Sequence, residues 1–417
     1  MEAAAAAAPP AQVYGAYRLE DGRLVSIRRS ADDTLRYRVY QTGATGRLFP
    51  ADDDSWESGP GFSGREPVTL RVRFDDSGTL SWAASGSDSL MGTRFLKAEP
   101  VEFDSDGATL RGQLLLPPSA GPFPAVVLVH GSGADSALEY FYSGDFLAAN
   151  GVATFVYDKR GTGSSEGEFT FDFAQLARDV TAAVGALAGH GSIDAGRIGL
   201  CGYSQGGWVA PLAASMDARV RFVSVAYGMI ESPFYEALRE TQDLLRSRGV
   251  DEAGIREATP LVRASIRVVA NGFEGGWEAF HGAKRATTGA SWRTKLGGSP
   301  VEKMLRYPQW LTKILGPRLA PRGLDWDYSS DAVLDEVSIP MTWLLAERDS
   351  SAPNHETIPK LRAYREAGKP WELLLFAEAD HGMLEFREED GERVYTSYAP
   401  GYFEAEVEHV LRMSGTE

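Results

Sequence analysis

Hydrophobic and polar residues alternate in short segments over residues 13–94. These segments are rich in Tyr, Val, Leu and Thr, and turn dipeptides separate them: Asp21-Gly22, Thr42-Gly43 and Ser77-Gly78. A period of two, broken by such turns, is typical of antiparallel strands joined in hairpins. We therefore predict a small all-β domain at 13–94, after an Ala/Pro-rich tail at 1–12 that we expect to be disordered. The sequence leaves open whether this domain shields or orients a second domain, or serves solubility or assembly.

The pattern changes near residue 95, where the stretch 99–118 reads as a hairpin and longer apolar runs follow. These runs are separated by helical stretches and lie at 125–130, 152–158, 198–203, 222–228, 341–347 and 371–378. Strands this apolar are typical of a mainly parallel sheet whose two faces are covered by helices. Residues 95–417 are therefore predicted to form an α/β domain, with its site at the carboxyl ends of the strands.

A long insertion, about 228–330, separates two of the predicted strands. Its beginning, "SPFYEALRETQDLLRSRG", has the apolar rhythm of a helix, and aromatic residues recur after it: Phe273, Trp277, Phe280, Trp292, Trp310 and Trp326. We predict a helical cap. Its rings could cover the site, or they could pack into the cap's own core.

Composition and charge narrow the classes of partner. The chain has 417 residues, 43% of them hydrophobic, which suits two domains. Its formal net charge of -16 argues against binding to nucleic acid or to an anionic membrane. Cys201 is the single cysteine, which excludes an internal disulfide and a thiolate zinc cage. The chain shows neither a secretory signal nor an apolar run long enough to span a membrane, so we expect a cytoplasmic protein.

Polar residues follow nearly every predicted strand of the α/β domain. They are "HGSG" at 130–133, "DKRGTGSS" at 158–165, Ser204, Asp349 and "DHG" at 380–382. Because the carboxyl ends of parallel strands meet at one edge of a sheet, we expect these groups to lie together.

The segment Gly202-Tyr203-Ser204-Gln205-Gly206, with "HGSG" before it and "ERD" and "ADHG" after it, resembles the α/β-hydrolase superfamily. The similarity is to the branch of esterase-like and dienelactone-hydrolase-like enzymes, and it covers roughly residues 95–417. It implies the α/β-hydrolase fold and a serine nucleophile on a strand-to-helix turn. The N-terminal β-region lies outside this resemblance.

The resemblance assigns a catalytic triad. Ser204 is the expected nucleophile, and His381 comes last in the order nucleophile, acid, base that the superfamily shows. Asp349 stands in the acid's place within "AERDSSAP", with Glu347 as the alternative. Asp380, next to His381, is expected to brace the loop.

An oxyanion hole requires two backbone N–H groups that point at the developing charge. The resemblance places them at Gln205 and Ser132, with Gly133 as the alternative to Ser132. His130 is expected to shape this loop by hydrogen bonding. The remaining histidines are expected to be surface or packing residues: His190, His281, His355 and His409.

The glycine-rich loop "DKRGTGSSEG" could suggest a dinucleotide site. The fingerprint requires a third glycine at position 166, where this chain has Glu166. We therefore interpret it as a structural turn in which Asp158 and Arg160 pair, similar to the "DxRGxGxS" loop of the same hydrolase branch. We expect no cofactor and no metal.

The expected activity is hydrolysis of a carboxylic ester, with a small-molecule ester or acyl substrate. The same residues would suit a peptidase, thioesterase, acyltransferase or cyclase. The N-terminal domain is too short for the large propeller of prolyl-oligopeptidase-like peptidases, which disfavours that class. A non-catalytic ligand-binding protein is the alternative from another class. The aromatic cap predicts a preference for apolar, medium-sized or aromatic esters, and the oligomeric state is not predicted.

Overall fold

The computed structural model describes residues 13–30, 34–75, 77–389 and 392–415. The predicted tail at 1–12 lies outside these ranges. In the described part of the chain, eight antiparallel strands close into an N-terminal barrel. They are β1 Gly15–Leu19, β2 Leu24–Arg29, β3 Leu35–Val39, β4 Thr45–Pro50, β5 Trp56–Ser58, β6 Leu70–Phe74, β7 Leu80–Ala84 and β8 Leu90–Arg94. β1 pairs with β8, which closes the barrel, and the predicted all-β region is confirmed.

The second sheet is the framework of the α/β region. Its described strands are β9 Lys97–Ser105, β10 Ala108–Leu116, β11 Phe123–Val129, β12 Ala153–Tyr157, β13 Ile193–Tyr203, β14 Val220–Ala226, β15 Met341–Ala346 and β16 Trp371–Phe376. Their spatial order is β16-β15-β14-β13-β11-β12-β10-β9. β9 and β10 form an antiparallel hairpin, whereas the strands from β12 to β16 pair in parallel. The predicted mainly parallel sheet is confirmed.

Helices cover both faces of this sheet. The described α-helices are α1 Ala137–Tyr140, α2 Ser143–Ala149, α3 Phe173–Ala188, α4 Gly206–Met216, α5 Pro233–Ser247, α6 Glu252–Ala270, α7 Trp277–Ala286, α8 Pro300–Arg306, α9 Gln309–Leu319, α10 Asp331–Glu336, α11 Thr357–Glu366 and α12 Tyr402–Met413. α3 and α4 pack in the apolar cluster on one face. α2 and α12 pack in the cluster on the other face. The arrangement places the sheet in the middle layer of the domain.

Helices α5 to α9 form the cap between β14 and β15. α5 begins where the sequence supplies a start signal, since the Ser232 side chain accepts a hydrogen bond from the Tyr235 N–H and proline follows at the first helical position. Most of the recurring rings are buried in the cap's own apolar cluster: Phe273, Trp277, Phe280 and Trp292. Trp310 is 64% exposed. The cap's two ends meet where the Phe234 N–H donates to the Trp326 carbonyl, at 2.9 Å.

A third sheet lies between the barrel and the α/β region, and the sequence pattern did not predict it. Among the described residues, its antiparallel strands are β17 Ala379–Asp380, β18 Leu384–Glu389 and β19 Glu392–Tyr398. β19 contacts the barrel, because the Tyr398 N–H donates to the Gly43 carbonyl at 2.9 Å. A short 3-10 helix, His381–Met383, joins β17 to β18.

A buried ion pair also joins the barrel to the α/β region. Arg28 on β2 donates from Nε and Nη2 to the two carboxylate oxygens of Asp145 on α2, at 2.8 and 2.7 Å. The Ser26 hydroxyl donates to the same carboxylate at 2.6 Å. Both charged side chains are almost fully buried, so loss of either one would leave its partner as an uncompensated buried charge.

Candidate active site

Ser204 stands on the tight turn between β13 and α4. Its backbone has φ +53°, a left-handed conformation that costs energy for a residue with a side chain. The glycines two positions away permit the turn. A methyl group at Gly202 would lie 2.5 Å from the Gly206 carbonyl oxygen, and one at Gly206 would lie 2.2 Å from that of Val129. The chain therefore holds the Ser204 hydroxyl at the carboxyl edge of the sheet.

The three predicted triad side chains lie within hydrogen-bonding distance of one another. His381 Nε2 is 3.1 Å from the Ser204 Oγ. His381 Nδ1 is 3.0 Å from Asp349 Oδ2 and 3.1 Å from Oδ1. They come from three places in the chain: the end of β13, the loop after β15 and the loop after β17. The geometry suits transfer of a proton from the serine to the imidazole.

The carboxylate of Asp349 has a fixed environment. Its side chain is fully buried, and Oδ1 accepts hydrogen bonds from the Ser351 and Ala352 N–H groups at 2.9 and 2.6 Å. Burial alone would lower the pKa of His381, but the negative charges of Asp349, Asp380 and Glu240 outweigh it, and the net shift is upward. The ring of Tyr227 packs edge-on against the imidazole, with centroids 5.1 Å apart.

The two neighbouring acids have other surroundings. Glu347 is exposed and lines a cleft between the cap and the α/β region. Asp380 is fully buried, and its Oδ1 accepts hydrogen bonds from the His381 and Ser350 N–H groups at 2.7 and 2.8 Å. Asp380 therefore has the position predicted for it, in contact with the loop that carries His381.

The loop after β11 lies against Ser204. A methyl group at Gly131 would be 3.2 Å from Ser204 Cβ. Ser132 and Gly133 follow in this loop and are exposed, whereas Gln205 is buried at the start of α4. His130 is buried with Nε2 3.2 Å from the Tyr157 carbonyl oxygen, and burial lowers its pKa well below the usual value. His130 is thus a buried residue at the start of this loop, next to the Tyr157 carbonyl of the adjacent strand.

Lys159 supports the same loop and was missed in the sequence. Its ammonium donates to the Gly131 carbonyl at 2.7 Å and lies 4.9 Å from the centroid of the Phe169 ring. Burial lowers the pKa of Lys159 to about 7. The segment "DKRG" does place a cationic side chain directly after strand β12. Its partner, the Gly131 carbonyl, lies in the loop after β11, and the sequence does not reveal that pairing.

The expected pairing of Asp158 with Arg160 is wrong. Arg160 donates from Nε and Nη2 to both carboxylate oxygens of Asp179 on α3, at 2.8 and 2.6 Å. Asp158 instead accepts from the Ser136 hydroxyl and the Ser164 N–H, at 2.8 and 3.1 Å. The loop's own donors satisfy Asp158, so the guanidinium turns to the adjoining helix.

Two cavities adjoin helix α5 of the cap. The larger, about 1160 Å³, lies between the cap and the α/β region and reaches Asp349. The smaller, about 330 Å³, lies within the cap, and apolar side chains dominate its walls: Ile266, Phe273, Met304, Leu311, Leu315 and Trp326. Glu240 and Thr241 on α5 line both cavities. α5 therefore forms a wall between the polar cleft and the apolar cavity.

Acidic side chains of α5 face the triad. Desolvation by the surrounding cap and α/β region raises the pKa of Glu240 to about 7, and the charges of His381 and Asp349 act on it in opposite directions. Desolvation also raises the pKa of Glu236 well above its usual value, with Glu240 and Asp349 adding to the effect. Burial therefore favours the neutral, protonated form of both carboxyls.

Metal binding and membrane spanning are questions for the whole described part of the chain, residues 13–30, 34–75, 77–389 and 392–415. In these ranges, no group of three or more His, Cys, Asp or Glu residues is arranged to hold a metal ion. No helix there has the length and apolar character needed to cross a bilayer. The other histidines lie beside polar or charged partners: His190 with Glu99, His281 with Gln309, His355 with Asp243 and His409 with Glu372.

The sequence model described as "Alpha/beta hydrolase family" matches residues 126–396, more than half of the chain. A thiohydrolase of Arthrinium phaeospermum is 35% identical over 129 residues, which are 30% of this chain and 41% of that protein. A polyketide transferase of Penicillium crustosum is 31% identical over 173 residues, 36% of this chain and 54% of that protein. The chain thus spans about half the length of these curated relatives or less.

Among solved structures, an alpha/beta hydrolase from Penicillium sp. sh18 superposes with a TM-score of 0.45 at 20% sequence identity. The superposition covers 77% of this chain and 100% of the Penicillium chain.

Proposed function

Because the chain belongs to the alpha/beta hydrolase family, we propose that it is a serine hydrolase that cleaves a carboxylic ester through an acyl-enzyme on Ser204. The observation that carries the proposal is the continuous hydrogen-bonded series from Ser204 through His381 to Asp349. A serine hydroxyl is a poor nucleophile unless a base stands beside it, and the imidazole is at the distance that proton transfer requires.

In the proposed reaction, the Ser204 Oγ attacks the ester carbonyl carbon while His381 Nε2 takes the hydroxyl proton. Asp349 holds the Nδ1–H tautomer and stabilises the imidazolium. When the tetrahedral intermediate collapses, the carbon–oxygen bond to the alcohol breaks and the imidazolium gives its proton to that oxygen. Water then attacks the acyl-enzyme by the same route, and the acid and free Ser204 result.

The oxyanion is proposed to be stabilised by the N–H groups of Gln205 and Ser132, with Gly133 as the alternative to Ser132. The closeness of Gly131 to Ser204 supports a donor in this loop. The ammonium of Lys159 fixes the loop from behind through the Gly131 carbonyl, so the donors would be oriented before substrate arrives.

We propose that the acyl group is neutral, apolar and of medium size, and that it occupies the cap cavity. The cavity's apolar walls and its volume of about 330 Å³ support this class, because a cavity of about 150 Å³ suffices for benzene. An ionised acyl group would lose its hydration among these apolar walls, which favours a neutral one.

Transfer of the acyl group to an acceptor other than water, or cleavage of a thioester, is the second candidate. The names of the relatives, a thiohydrolase and polyketide transferases, favour it. Both reactions would use the same acyl-enzyme. Product analysis with and without a competing alcohol or amine distinguishes them, since a transferase would convert the acceptor in preference to water.

Labelling with a fluorophosphonate probe tests the proposal. We expect stoichiometric labelling of Ser204 in the natural protein. Ser204→Ala should lose both labelling and ester turnover while its unfolding transition is unchanged. A folded protein that resists the probe would indicate a ligand-binding protein instead, and retention of more than a few per cent of turnover in Ser204→Ala would place the nucleophile elsewhere.

A further inference from the structure

Asp380 connects the loops that carry Asp349 and His381. One of its oxygens, Oδ1, accepts from the His381 N–H at 2.7 Å. The same oxygen accepts from the N–H and the hydroxyl of Ser350, the residue after Asp349, at 2.8 and 2.9 Å. Because the side chain is fully buried, this carboxylate fixes one loop relative to the other.

The second oxygen of Asp380 is held by β19. The Tyr395 hydroxyl donates to Oδ2 at 2.8 Å, and Arg393 forms an ion pair with the same oxygen at 2.6 Å. Among the described residues, the side chains of Tyr395 and Arg393 form no hydrogen bond or ion pair with Ser204 or His381. The location of the Asp380 carboxylate therefore depends on where β19 lies.

The barrel in turn holds β19. The Phe62 N–H donates to the Tyr395 carbonyl at 3.3 Å, and the two rings lie 5.9 Å apart. At the end of the strand, the Tyr398 N–H donates to the Gly43 carbonyl at 2.9 Å. Arg38 of β3 donates to the Tyr398 hydroxyl at 3.1 Å. Backbone and side-chain bonds thus attach the strand to the barrel at two places.

We propose that the N-terminal barrel is a positioning part of the active site, which holds the loops of Asp349 and His381 in place through β19 and Asp380. The inference rests on the proposed function, in which His381 is the base. Tyr395 and Asp380 are positioning residues, since they act through the loops and not on reacting atoms. Misplacement of a catalytic group by about 1 Å can cost on the order of 100-fold in rate, so the attachment has a kinetic consequence.

Two glycines in hairpin turns of the barrel provide a matched test. Gly43 and Gly22 both have positive φ, +66° and +88°, so alanine introduces similar backbone strain at each. A methyl group at Gly43 would lie 2.6 Å from the Tyr398 carbonyl oxygen, whereas at Gly22 no described atom lies within 4 Å. Gly43→Ala therefore displaces β19, and Gly22→Ala does not.

The measurements are amide hydrogen exchange in the full chain and the second-order rate of fluorophosphonate labelling at Ser204. We expect Gly43→Ala to accelerate exchange around Ser350 and His381 and to slow labelling by about 10- to 100-fold. Gly22→Ala should show the exchange of the natural protein around these residues and label within about twofold of its rate, even if both variants lose similar stability.

Tyr395→Phe is the second variant, because it removes only the hydroxyl from Asp380 and keeps the ring on Phe62. We expect labelling to slow by roughly tenfold, the value of one hydrogen bond to a charged group. Its control is Tyr364→Phe, whose hydroxyl bonds to Asp335. The inference is overturned if Gly43→Ala and Gly22→Ala label alike, or if Tyr395→Phe labels at the natural rate. If the natural protein is not labelled at all, the proposed function fails and the inference falls with it.

Discussion

Asp349 and Glu347 stand two residues apart after β15, yet only Asp349 is buried against the imidazole. Asparagine at 349 would keep the shape but favour the wrong tautomer of His381. We predict that Asp349→Asn lowers kcat by about 10⁴, while Glu347→Gln changes it little. Steady-state kinetics on one ester, with unfolding curves for both variants, gives the comparison. The opposite ranking would transfer the acid's role to Glu347.

The pH dependence of activity should report the upward shift in the pKa of His381. An imidazolium cannot accept the serine proton, so kcat/KM should be lost as the pH falls through a value above the ordinary 6.5. Glu240, with a pKa of about 7, titrates nearby, so the profile should also be measured in Glu240→Gln. An acid limb that persists in this variant belongs to His381. Activity that stays constant down to about pH 4.5 in folded protein would contradict a histidine base.

At the residue scale, the triad candidates could be named because each follows an apolar strand and because the chain resembles a family that shows them in this order. Apart from Asp380 and His130, the residues that support the site could not be named. Asp179 lies on a helix 19 residues from Arg160, and Tyr395 reaches Asp380 from a strand that the pattern did not predict. The partner of a side chain depends on which helices and strands become neighbours in the fold. The residue types alone do not predict which elements those are.

At the element scale, the cap cavity makes a prediction about chain length. Ala237 on α5 lines this cavity, about one turn from Glu240. We predict that kcat/KM rises two- to fourfold for each added methylene of the acyl chain until the cavity is full, since a buried methylene contributes about 0.8 kcal/mol. Ala237→Phe should end this rise at a shorter chain and leave the shortest esters unaffected.

The control for the cavity is Trp310→Ala. Trp310 lies on α9, but it is exposed and does not belong to the cavity wall. It should keep the chain-length profile of the natural protein. A profile that is unchanged in Ala237→Phe, or one in which acetate esters are best, would place the acyl group outside this cavity.

The elements themselves differed in how well they could be predicted. The strands β11 to β16 are apolar on both faces, so six runs of the sequence identified them. Closure of the barrel depends on β1 meeting β8, a contact between distant segments that alternation does not reveal. β18 and β19 are mostly half-exposed. Because their apolar residues show no clear period, the sequence did not predict them as strands.

At the scale of the whole molecule, the pair between Arg28 and Asp145 joins the barrel to the α/β region. Removing the carboxylate leaves a buried guanidinium without its counter-charge. We predict that Asp145→Asn lowers the free energy of unfolding by about 3–5 kcal/mol. Asp327→Asn, which breaks an exposed pair with Arg267, should cost about 1 kcal/mol or less.

Urea unfolding of the two variants provides the measurement. A loss below about 1 kcal/mol in Asp145→Asn would mean that the attachment depends on apolar contacts rather than on this pair.

The hydrogen bond between Phe234 and Trp326 has a consequence for how such proteins diversify. A segment of about ninety residues leaves and re-enters the hydrolase at points that are bonded to each other, so its loss or replacement need not move any strand end. Recombination could therefore exchange one cap for another while Ser204, Asp349 and His381 keep their places. Descendants of one ancestor would then differ most in the substrates they accept and least in the bond they break, and a transplanted cap should carry its preference to a new host.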